Sequence, residues 1–110
     1  MATAIGMFRQ PGGLITVKAS KALAYHELIT IGAIVAVTKA SANNGEYVAC
    51  DVEGVFQLPK KAAEAITQGT KVYLDSDGVI TATAESNTYA GIAWTNEASE
   101  STTVDVKINV

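Results

Sequence analysis

Short β-type runs set close together, with turn signals between them, constrain this chain more than any other feature. LITVKA (14–19) alternates apolar and polar residues as a half-buried strand does. LITIGAIVAVTKA (28–40) holds two β-branched runs divided by Gly32, which reads as a pair of strands or one bent strand. Asn43-Asn44-Gly45 carries the Asn-Gly signal of a tight hairpin, and EYVACDV returns from it. In that run Val48, Cys50 and Val52 share the core face, while Tyr47, Ala49 and Asp51 share the other. After Gly54 come VFQL, then KVYLD and VITAT on either side of Ser76-Asp77-Gly78, then TYAGIAWT and TTVDVKINV around a polar, acidic loop from Asn96 to Ser101. Roughly eight short strands at turn spacings near ten residues predict an all-β fold, a small single-domain β-barrel or sandwich. With 48% hydrophobic residues but only 6% aromatic ones, its core is expected to consist of small, branched side chains. No internal repeat is visible in the residues.

One stretch breaks the pattern. In VFQLPKKAAEAITQGTKVYLDSDG (55–78) the alternation stops at Pro59, which cannot donate to a ladder, and resumes after Gly69. Lys60 to Ile66 has the composition of one short α-helix of under two turns, with Lys60 and Glu64 paired at i,i+4 and Gly69 as its C-terminal stop. A helix so short depends on tertiary packing. Ahead of the first strand, Ile5, Met7 and Phe8 form a small apolar cluster, followed by Arg9 and a Pro11-Gly12-Gly13 hinge. Residues 1–13 are therefore expected to form an N-terminal arm and residues 14–110 a single folded domain.

Charge and chemistry narrow the function. The chain of 110 residues has a net charge of −3. Residues 1–60 carry five basic and four acidic side chains, residues 61–110 three basic and seven acidic. An acidic second half argues against a polyanionic partner. No apolar run approaches the roughly 20 residues of a membrane helix, and no basic-then-apolar leader opens the chain, so it is expected to be made and assembled inside a cell without a membrane partner. A single cysteine excludes an internal disulfide, and a single histidine leaves no His-based metal site. LDSDG resembles part of a calcium loop, yet with Gly78 at the sixth position Tyr73 and Ala84 fall where carboxylates are needed, which leaves a hairpin turn. Cys50 alternates with valines and reads as a core residue. His26, beside Glu27, has no serine elbow to serve and reads as a surface residue. With no phosphate loop and no dinucleotide fingerprint, neither an enzyme nor a cofactor is expected. An OB-like barrel would place Phe56, Tyr73 and Tyr89 against bases and Lys60, Lys61 and Lys71 against phosphates, but the basic footprint is missing.

Four segments carry a resemblance: GVFQLPK (54–60), QGTKVYLD (68–75), NTYAGIA (87–93) and VDVKIN (104–109). Together with LITVKA and IGAIVAVTKA they resemble the small capsid cement, or decoration, proteins of tailed bacteriophages, over nearly the whole chain. The most specific element is Leu58-Pro59-Lys60 leading toward Gly69. The resemblance implies a non-enzymatic virion protein on the outer capsid surface, assembled in the bacterial cytoplasm, that binds the major capsid protein and holds neighbouring subunits together. It also makes self-association expected, a trimer before a dimer. Ile5, Met7, Phe8 and Arg9 would be the capsid-binding residues of the arm. Ala62, Ala63 and Ile66 would cap one mouth of the barrel while Lys60 and Lys61 stay in solvent. The alternatives are a head-completion or tail-tube subunit and the OB-like nucleic-acid binder.

Overall fold

The computed structural model describes Thr3 and residues 6–110, which form nine strands and no helix. β1 (Leu14–Lys18), β2 (Leu28–Ile31), β3 (Ile34–Thr38) and β4 (Tyr47–Asp51) build one antiparallel sheet in the order β1-β4-β3-β2. β5 (Val55–Pro59), β6 (Lys71–Leu74), β7 (Ile80–Thr81), β8 (Thr88–Ala93) and β9 (Thr103–Ile108) build a second in the order β5-β9-β8-β6-β7. The turn chemistry sets the breaks. Gly32 at φ 57° and Gly78 at φ 82° occupy the left-handed corners between β2 and β3 and between β6 and β7. The Asn-Gly turn is also present, with Gly45 at φ 92°, but it sits within a longer connection from β3 to β4 rather than forming a two-residue hairpin.

The second sheet repeats the first, a duplication the residues do not advertise. Without β7, its order β5-β9-β8-β6 is β1-β4-β3-β2 again. The loops match bond for bond. His26 N and Thr38 O pair as Gly69 N and Ala93 O do, at 3.1 and 2.8 Å. Leu23 and Ala42 bond each other as Ile66 and Glu97 do, and Ala19 donates to Glu46 O as Lys60 donates to Thr102 O. His26, at φ 61°, therefore holds a position that glycine fills in the other half. Hydrogen-bond geometry carries the repeat while the side chains have diverged.

Each half wraps a core. Ala36, Val48 and Cys50 are buried in the first, together with Leu23, Ala42 and, partly, Val17 and Ile29. Val72, Ile80, Ala90, Val104, Val106 and Ile108 fill the second. Val35 and Val37 of β3 point the other way and join that second core, so β3 is buried on both faces, as its unbroken apolar run requires. The carboxamide of Asn109 reinforces the junction. It accepts from Val35 N at 3.1 Å and donates to Val35 O and Val52 O at 2.7 and 2.8 Å, taking the ladder position that β4 leaves vacant as it diverges from β3.

The expected helix is absent. Lys60 to Ile66 bonds instead to its sheet neighbours: Lys60 N to Thr102 O, Lys61 N to Ile80 O, and Ile66 reciprocally to Glu97. A seven-residue helix closes too few of its own bonds to compete with these, and Ala63 turns to φ 61°. Gly69, at φ 88°, serves the turn into β6 rather than a helix stop. Pro59 ends β5 at the sheet edge, where a missing N–H leaves no ladder bond unmade.

Candidate functional site

The side chains that could carry chemistry are occupied with structure. Cys50 is fully buried, and burial, with Asp51 beside it, pushes the thiol above its ordinary range. His26 is exposed and stacks on Tyr25 at 3.7 Å, while Glu27 accepts from Ala24 N at 2.9 Å and from no histidine atom. Asp75 closes the β6–β7 turn by accepting from Asp77 N at 2.9 Å and Val79 N at 3.2 Å, the work of a hairpin and not of a calcium loop. Among the described residues no group of three metal-ligating side chains forms.

The Leu58-Pro59-Lys60 motif builds scaffold. Leu58 is buried in the second core. Lys60, expected in solvent, is buried with only 4% of its surface exposed, and its ammonium donates to the carbonyls of Lys61, at 2.9 Å, and Glu64. The i,i+4 pair does not form, because the Glu64 carboxylate turns away to accept from Thr81 Oγ1 at 3.0 Å and from Ala82 N. These bonds fasten the 60–66 loop to β7. Ile66 enters the core as expected of a plug, while Lys61, Ala62 and Ala63 are exposed. A buried lysine was not legible in the residues, since the two carbonyls that receive it come together only when the loop closes.

Surfaces remain as the candidate working parts. Met7 and Phe8 are 79% and 85% exposed and Arg9 is exposed, so this part of the arm lies off the body. Ile5 lies outside the described residues. A second surface covers the outward face of the second sheet. There Val55, Lys107, Ile92 and Lys71 form one cross-strand row, and Trp94 lies beside Asp105 in the next. Trp94 is 46% exposed, with the Lys107 ammonium 5.3 Å from its ring centroid, so the face mixes apolar side chains with two lysines and Asp105. Nothing in the residues marked this tryptophan, because the patch is assembled across four strands.

The family model for phage cement protein matches residues 9–108. The chain belongs to that family. The match spans both sheets and makes the chain a structural component of a phage capsid. Comparison with curated proteins and with solved structures gives no match. The cement family's match covers all nine strands and runs from Arg9 to Ile108, so Met7 and Phe8 lie ahead of it and Asn109 just after it.

Proposed function

We propose that this chain binds the outer surface of an icosahedral phage head and holds neighbouring major capsid subunits together, without catalysis. The observation that carries the reading is the cement-family match across both sheets. The body suits such work. Two tightly bonded sheets with an inter-sheet carboxamide latch resist deformation, and the Trp94–Lys107 face offers an aromatic anchor flanked by a lysine and Asp105. Met7, Phe8 and Arg9 of the arm extend the domain toward its neighbours in the shell. Cement works by repetition, so each contact need only be weak.

The test is to incubate the purified chain with undecorated heads, pellet them and count bound copies. Binding that saturates at hundreds of copies per head is expected. About six or twelve copies would mark a ring connector instead, and none would overturn the reading.

A further inference from the structure

The two halves differ at one place. In the second half, β7 lies along the free edge of β6: Tyr73 pairs with Thr81 and Leu74 with Ile80. Ile80 also bridges to Lys60, accepts from Lys61 N at 2.9 Å, and is fully buried. Among the described residues the first half has no such strand, because Gly32-Ala33 turns directly from β2 into β3. At the equivalent position lies an open groove of about 510 Å³, lined by Val17, Ala19 and Ser20 on one wall and Ile29, Thr30 and Ile31 on the other.

The groove has the bonding edge of a strand acceptor. Val35, directly opposite Thr30, gives both its backbone groups to Asn109, so the pair does not bond across β2 and β3. The N–H and C=O of Thr30 therefore face the groove. The loop registers place Thr30 where Tyr73 stands and Ser20 where Lys61 stands, two of the residues that hold β7.

We infer that this groove takes the N-terminal arm of a second copy of the chain as an added strand. It deepens the cement reading, on which its setting in the shell rests, by naming self-association as the arm's task. Met7 and Phe8 are exposed apolar side chains, and an added strand would bring them to a groove lined by Val17, Ile29 and, from the β6–β7 hairpin, Leu74. Arg9 faces a lining that includes Glu27 and Asp75 as well as Lys18 and Lys21. The arm leaves β1 at Leu14, while the groove lies past the other end of that strand, around Val17 to Lys21, so an arm reaches its own groove only by folding back along β1 at the Pro-Gly-Gly hinge. Copies joined arm to groove either exchange arms as a two-fold dimer or follow one another head to tail, into a ring where the rotation closes.

Two full-length variants test this by light scattering, without capsids. Met7→Asp with Phe8→Asp disables the arm; Thr30→Pro removes the groove-facing N–H without touching the β2–β3 ladder. If that proline unfolds β2, Ser20→Trp fills the groove from an exposed position instead. The unaltered chain is expected to assemble with rising concentration, each variant to remain monomeric with an unchanged melting point, and a mixture of the two to give a 1:1 dimer that grows no further. An unaltered chain that stays monomeric, an oligomer that survives either variant, or a mixture that gives no dimer would overturn the inference. Monomers with a protected arm in hydrogen exchange would place the arm in its own groove, and a groove protected only on heads would assign it to the capsid protein; both overturn it. Failure here leaves head binding by the pelleting assay untouched, so the two readings fail separately.

Discussion

Replacing Asn109 by glycine isolates the contribution of the latch between the sheets. Glycine tolerates the φ of 57° at this position, so the substitution removes hydrogen bonds without adding backbone strain. Three bonds are lost. Two served Val35, which is fully buried, and the third Val52, which is partly exposed. An unpaired buried N–H or C=O costs about 1–3 kcal/mol, and one that water reaches costs less, so the sum is about 4 kcal/mol. In a domain of this size each kcal/mol moves the melting point by roughly 4–8 °C, so a fall of roughly 16–30 °C is expected. Thermal unfolding followed by circular dichroism reads it, with guanidinium unfolding checking that the m-value is unchanged. A fall under about 5 °C would refute the argument, because water or a shifted β4 would then be replacing the carboxamide at little cost.

Gly91→Ala places a Cβ 2.0 Å from Lys107 O, at the bulge where β6, β8 and β9 crowd together, and is expected to leave mostly insoluble protein, read from the soluble yield. Lys60→Met keeps the aliphatic stem but strips the donors from two loop carbonyls, so urea unfolding is expected to show a loss of about 1–3 kcal/mol, while Lys61→Met changes stability by less than about 0.5 kcal/mol. Cys50 is expected to resist a thiol reagent until the protein unfolds. Its raised folded pKa means that the unfolded chain loses the proton first, so any contribution of Cys50 is present below the ordinary thiol range near pH 8.5 and fades as pH rises above it; equilibrium unfolding at pH 7 and pH 10 in the unaltered chain and in Cys50→Ala checks the sign.

The strands were legible because a pleated, half-buried surface imposes a period of two and glycine marks the left-handed corners. Val48 and Cys50 fall on the buried face that alternation assigns them, and Gly32 divides β2 from β3. The 60–66 segment misled because composition reports helical preference one residue at a time, whereas its bonds run to Thr102, Ile80 and Glu97, far along the chain. The exposed face around Trp94 and the vacant edge at Thr30 were equally hidden, since each depends on which strand lies beside which. The apolar cluster ahead of the Pro-Gly-Gly hinge was visible at once, and two of its side chains, Met7 and Phe8, are exposed.

By itself, then, the order of residues determined an all-β chain of small apolar side chains and the places of its turns. These follow from local sterics and periodicity, which act over a few residues. Tertiary structure alone decided the doubled sheet, the burial of Lys60, the Asn109 latch and the groove of the first half at the place that β7 fills in the second. Each is a matter of backbone hydrogen bonds finding partners across the fold, and a backbone group looks the same whatever residue bears it.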